Sequence, residues 1–247
     1  MQMQDRHNTL RSAGVNEVEV SKLFRNTYTL LAMTLAFSAF VAFISMSLGL
    51  RHPGLVITLV GFYGLLFGIH KTRNSGMGLV LTFALTGFMG YTLGPLLNAY
   101  LSLPNGGQLV SMALGMTAMV FFGLSAYAIL TRKDFSFLSG FIMAGFVVLL
   151  CTVVASFFIQ MSGLQLAISA GFVLFSSAVI LYQTSAIIHG GEDNYIMATI
   201  TLFVSIYNLF LSLLQLLASS AATDPAPLAI IGGSPMASLL VYIWLIA

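Results

Sequence analysis

Charge is what this sequence has least of. Asp, Glu, Lys and Arg make up 6% of its 247 residues, where a soluble domain carries roughly 25%. Positions 74–131 and 135–191 hold no charged side chain at all. Such a chain cannot cover a water-facing surface, so its solvent must be lipid. Ion-coupled pumps and carriers place ionisable residues at membrane depth; here none falls near the middle of an apolar run, which argues against a proton- or sodium-coupled transporter. The single cysteine, Cys151, lies inside an apolar run. It excludes an internal disulfide and leaves the redox compartment open. No basic run with interleaved aromatics is present, which excludes a nucleic-acid partner. The polar N-terminus lacks a short apolar region with a small-residue cleavage site, so the first apolar run is expected to serve as an uncleaved anchor.

What is abundant is apolar length. Hydrophobic residues make up 58% of the chain, and a spanning helix needs about 20 of them in sequence. Seven runs are candidates: Tyr28–Leu50, Gly54–Ile69, Gly76–Leu101, Leu109–Leu130, Phe137–Ile159, Leu164–Ile188 and Tyr195–Ala218. The second is short and would need a turn from its flanks. The runs are continuous rather than alternating, which predicts helices and not barrel strands. Turn residues separate them at Arg51-His52-Pro53, Asn74-Ser75-Gly76, Pro104-Asn105-Gly106-Gly107 and His189-Gly190-Gly191. The expected fold is an all-α membrane protein with a seven-helix bundle over 27–218, a polar tail at 1–26 and an atypical hydrophobic tail at 219–247. Leu228–Ala247 is long enough for an eighth span. Gly232, Gly233 and Pro235 interrupt it, so a surface-lying segment fits equally well. Arg6, Arg11, Lys22, Arg25, Lys71, Arg73, Arg132 and Lys133 fall on one side if the helices alternate, and only Arg51 falls on the other. By the positive-inside rule the N-terminus is cytoplasmic.

Candidate chemistry is sparse. His7, His52, His70 and His189 make no ligand motif, and nothing in the spacing gathers His189, Glu192 and Asp193 around a metal, which needs three or four convergent donors. Ser125, Ser139, Ser169, Ser176, Ser177 and Ser205 lie in or near spans without a histidine at their depth to activate them. Neither an enzyme nor a cofactor is expected. The small-residue pairs Gly64/Gly68, Gly90/Gly94 and Gly140/Ala144 have the spacing that lets helix backbones approach, and they are assigned to the interior of the bundle. Two segments are polar for their depth: Tyr182-Gln183-Thr184-Ser185 and Ser205-Ile206-Tyr207-Asn208. Polar side chains in lipid face inward, and successive helices are neighbours, so the two patches are expected to meet. Thr184, Tyr207 and Asn208 are the candidate polar interior, serving either as interhelical glue or as a residual polar pathway.

The segments Leu181–Glu192, Asn194–Ile196 and Ser205–Phe210 resemble the last two helices of the Bax inhibitor-1 family. Phe88–Pro95 and Tyr127–Ser136 resemble that family as well. Leu23–Tyr28 with Thr34–Ala39 is similar to its bacterial protease-modulator branch. The resemblance covers Leu23 to Leu217 and implies six helices wrapped around a central seventh. Members that leak calcium use two facing aspartates on the last two helices as a pH-sensitive latch, in which two close carboxylates share a proton. The matching positions here are Gln183 and Ser205, neither of which ionises. The resemblance therefore implies a latch-equivalent pair joined, at most, by a hydrogen bond indifferent to pH, and it makes a calcium or cation leak the second reading.

As the first reading, the resemblance implies an inner-membrane interaction protein that binds a membrane-anchored ATP-dependent protease of the FtsH type, with that protease's membrane regulators as further candidate partners. The segment Met1–Arg25 carries Arg6, Arg11, Glu17, Glu19 and Lys22 as the candidate recognition tail. It is polar without an amphipathic stripe, so it is expected to be poorly ordered and to offer the protease a loose end.

Overall fold

The computed structural model describes residues 2–156, 158 and 162–221, with side chains from Val18 onward except at positions 55 and 162. Its helices are α1 (Gln2–Ser47), α2 (Leu55–Thr72), α3 (Gly76–Leu101), α4 (Gly106–Thr131), α5 (Leu138–Ser156), α6 (Ser162–Ile188) and α7 (Tyr195–Ala221). No strand occurs among the described residues. Six of the seven are long and apolar enough to cross a membrane, and α2 falls short of that length. Leu228–Ala247 lies outside the described residues.

The one large departure from the hydropathy boundaries is α1, which begins at Gln2 rather than near Tyr28. The segment expected to be poorly ordered has a helical backbone. Its residues include Gln, Arg, Lys, Glu and Leu, all good helix formers, and no proline occurs before Pro53. Nucleation is the costly step in helix formation, and the span that follows supplies a formed helix from which these residues propagate. Among side chains from Val18 on, the first fully buried one is Thr27; Leu23 and Phe24 are only half-buried.

α1 and α3 pack as a parallel pair. A Cβ at Gly87 would meet the Phe37 ring, one at Gly90 would strike the Ser38 carbonyl, and one at Gly94 would press on Ser45. Asn98 Nδ2 then donates to the Met46 carbonyl at 3.0 Å. Proline chemistry locks this seam. Pro95 has no N–H, so the Tyr91 carbonyl four residues earlier loses its helical donor. In lipid that carbonyl needs another donor, and the Ser45 hydroxyl of α1 supplies it at 2.9 Å. Because α1 and α3 run the same way, the chain must return between them. α2 makes that return antiparallel to α3, with Gly61 against Phe88 and Gly68 against Leu81.

α7 is the buried axis. Ile196, Ala198, Leu202, Phe203, Leu209 and Leu214 on it are all closed off from the surface. α6, α4 and α1 pack closely against it and α3 touches it more lightly, whereas α2 packs mainly on α3 and α5 mainly on α6. Around α7 there are thus three close helices, with α3 at their edge and α2 and α5 outboard. Small residues decide where a helix neighbour comes close; on α2 Gly61 and Gly68 face α3, and at the α5–α6 seam Gly145 meets Phe175 while Leu149 meets Gly171. The small-residue pairs divide accordingly. Gly90 and Gly94 are interior, and Gly68 meets Leu81. Gly64, Gly140 and Ala144 are exposed on the outer surface, contrary to the expectation that all three pairs lie inside.

Candidate functional site

One end of the bundle concentrates both the charge and the polar contacts. Tyr28, at the start of the apolar part of α1, shares a hydrogen bond with Thr184 of α6 at 3.1 Å. Thr199 of α7 donates to the Thr27 carbonyl at 3.2 Å. The α2–α3 turn joins the same end, because Asn194 Nδ2 donates to the Arg73 carbonyl at 3.2 Å and to Asn74 Oδ1 at 2.9 Å. The turn after α4 joins it through His189, whose Nε2 lies 3.1 Å from the Arg132 carbonyl. Lys22, Arg25, Lys71, Arg73, Arg132 and Lys133 therefore collect at one end, while Arg51 sits at the opposite end, where its carbonyl accepts from Tyr91.

The α6–α7 hairpin organises this end. Asn194 caps α7: its Oδ1 accepts from the amides of Ile196 at 3.0 Å and Met197 at 3.1 Å. Its side chain thus starts α7 and ties it to the α2–α3 turn. Glu192 adds to the cap, its Oε1 accepting from the amides of Asp193 and Asn194, both at 3.1 Å. A carboxylate at a helix N-terminus also gains from the helix dipole. Ser185 holds the α4–α5 turn, accepting from Phe135 N–H at 3.0 Å. Arg132 adopts the left-handed region, with φ of 47°, and the His189 contact to its carbonyl braces that bend. Asp134 accepts the Ser136 amide at 2.9 Å; that bond, helped by the Ser136 side chain and by His189, holds its carboxyl below the ordinary aspartate range.

The latch-equivalent positions take separate partners. Gln183, on α6, is buried, and its Nε2 donates to Glu192 Oε2 at 3.3 Å. Ser205, on α7, is buried and donates to the Thr201 carbonyl of its own helix at 2.8 Å. Of the polar patches Tyr182–Ser185 and Ser205–Asn208, the first directs Gln183, Thr184 and Ser185 to Glu192, Tyr28 and the Phe135 amide. The first serves the hairpin end; the second lies deeper. Thr184 is fully buried against α1, Tyr207 pairs with the Thr92 side chain of α3, and Asn208 Oδ1 is buried without a partner. Of the recognition-tail candidates, Glu19 and Lys22 are exposed on α1, and the side chains of Arg6, Arg11 and Glu17 lie outside the described set. His189, Glu192 and Asp193 form no metal-holding group among the described residues; His189 and Glu192 direct their polar atoms to backbone and Gln183 instead. Asn194 was detectable in sequence as an Asn placed just before an apolar helix, a capping signal. Ser185 and His189 carried no such signal, because these partners are fifty or more positions away along the chain.

A family model described as inhibitor of apoptosis-promoting Bax1 matches residues 20–222. An uncharacterized protein of Pseudomonas aeruginosa is 65% identical over 222 residues, covering 90% of this chain and 100% of the relative. The Escherichia coli protein named modulator of FtsH protease YccA is 58% identical over 196 residues, covering 79% of this chain and 89% of its own. The same protein in another E. coli strain is named an inner membrane protein. An uncharacterized protein of Pasteurella multocida is 58% identical over 198 residues, covering 80% of this chain and 90% of the relative. With the family match spanning all seven helices from Val20 onward, this chain belongs to the Bax inhibitor-1 family.

Proposed function

We propose that this chain is an inner-membrane protein that binds and modulates a membrane-anchored ATP-dependent protease of the FtsH type. The observation that carries this reading is the 58% identity to YccA across 89% of that protein. In this reading all seven helices span, α2 included. Support comes from the parallel α1–α3 pair, which requires the chain to recross between them. At 1.5 Å per residue the 18 residues of α2 extend about 27 Å, close to the hydrocarbon thickness of about 30 Å. The basic end faces the cytoplasm, in keeping with eight of nine Lys and Arg residues lying there.

The α1 extension is the part of the molecule suited to engagement. Ahead of Thr27 the described side chains are half-buried or exposed, and a single unpacked helix is marginally stable in water. A translocating protease can unwind such a segment far more readily than the packed bundle behind it. Resistance of the bundle then makes the protein a slow substrate that occupies the enzyme. The test is photo-crosslinking and co-purification from native membranes, with reporter groups at Glu19 and Lys22. Capture of the protease from either position is the expected result. Failure to recover it under conditions that preserve its own assembly would remove this reading.

A further inference from the structure

α7 carries a polar stripe that the modulator reading does not use. Thr201, Ser205, Asn208, Ser212, Gln215 and Ser219 follow one another at steps of three or four residues, so they share one face of the helix. α6 carries a matching series at seven-residue steps: Ser169, Ser176 and Gln183. The two helices are antiparallel and closely packed. Counted from the hairpin at about 1.5 Å per residue, Gln183 and Thr201 lie about 8–9 Å deep, Ser176 and Asn208 about 18–20 Å, and Ser169 and Ser212 about 26–29 Å.

The ends of this series differ from its middle. Toward the hairpin, Gln183 bonds Glu192 and Ser205 bonds its own helix. Toward the other end of α7, Gln215 and Ser219 are half-buried and Ser220 is exposed. In the middle, Ser176 Oγ, Asn208 Oδ1 and Ser212 Oγ are buried and have no hydrogen-bond partner in the protein, in residues each about 1% exposed. Buried polar atoms in native proteins are paired with protein or with ordered water, and in a membrane the cost of leaving them unpaired is not relieved by lipid.

We infer that the α6–α7 seam binds a short file of water at the level of Ser176, Asn208 and Ser212. The file enters from the Ser219 end and stops at the Gln183–Glu192 bond. The chemistry selects water over a cation. Ser176, Asn208 and Ser212 are neutral hydroxyls and an amide, each able to donate and to accept, and no carboxylate lies among them to balance a buried charge. The result is a blind hydrated notch, open to one face of the membrane only.

The test uses single cysteines in a Cys151→Ser background of the full chain in native membranes. Asn208→Cys and Ser212→Cys lie on the stripe; Leu209→Cys and Leu213→Cys are buried neighbours off it. A small charged methanethiosulfonate should modify positions 208 and 212 at least tenfold faster than 209 and 213, and only from the membrane face at which α7 ends. Equal slow rates at all four, or faster reaction from the hairpin face, would overturn the inference. Equal fast rates would mean that the substitutions opened the bundle. Water-edited solid-state NMR of the unmodified protein then decides: magnetisation transfer from water to the Asn208 side-chain amide supports the hydrated seam, and its absence overturns it.

Discussion

Replacing Gly90 by alanine should be among the most disruptive single-methyl additions this bundle can receive. The new Cβ meets backbone rather than a movable side chain: it strikes the Ser38 carbonyl oxygen and lies 3.0 Å from its carbon and 3.1 Å from Ser38 Cα. Ordinary contact begins at 3.4 Å, so α1 and α3 must separate by at least 3.4 minus 3.0, or 0.4 Å, to relieve the carbon alone. Overpacking of this kind costs about 1–3 kcal/mol. Separation also strains the Ser45–Tyr91 and Asn98–Met46 bonds along the same seam, each worth about 0.6 kcal/mol in a membrane interior. The sum is about 2–4 kcal/mol. For a domain of this size that corresponds to a fall of roughly 5–15 °C in Tm. Thermal unfolding in detergent, followed by near-ultraviolet circular dichroism, measures it. Gly115→Ala and Gly123→Ala are the controls, since a Cβ at either meets nothing within 4 Å, and alanine is the better helix former by about 1 kcal/mol. A Gly90→Ala protein melting with the controls would refute the close α1–α3 packing.

Three further outcomes follow from the same structure. Asn194→Ala removes the α7 cap and both bonds to the α2–α3 turn and should cost about 2 kcal/mol; Asn194→Asp keeps the cap, loses the donors, and should fall between, as read by the same melts. At the opposite end, burial pushes the His52 imidazole below its ordinary value, and its Nδ1 accepts the Gly54 amide at 3.1 Å, which requires the neutral ring. Because the folded pKa is depressed, the associated stability is present above about pH 6.5 and is lost as pH falls below it, so melts taken from pH 7.5 down to pH 5 should show a decline that His52→Gln reduces. Cysteines at Asn105 and Gly163 in a Cys151→Ser background should react with an impermeant thiol reagent in intact cells, and cysteines at Arg73 and Lys133 only after the membrane is opened; labelling at 73 in intact cells would reverse the orientation.

The parts of the fold legible in sequence are those set by local hydropathy. Gly76–Leu101 runs between the same residues in both readings, and the hairpin ends of α6 and α7 at Ile188 and Tyr195 were likewise readable, because a continuous apolar run flanked by turn residues has one economical conformation in lipid. The α1 extension was not legible, since helix propagated from an existing helix leaves no apolar pattern to read. Nor was the outboard placement of α2 and α5, which depends on which face of each helix presents its glycines to a neighbour. At the candidate site, Gln183 and Thr184 are buried, and their partners Glu192 and Tyr28 are not legible in the sequence. Those pairings are set by the relative depth of three helices, and only the assembled bundle determines it.

The most direct test of the protease-modulator account is a pulse-chase of the full chain and of a chain lacking part of residues 1–20 but keeping Lys22 and Arg25, in cells with and without the protease. The bundle should insert and fold in both, because the described buried contacts begin at Thr27. The account predicts that the shortened protein has a longer half-life only where the protease is present, and that it slows turnover of a second membrane substrate more than the full chain does. Decay at the same rate for both chains, with the second substrate unaffected, would contradict it.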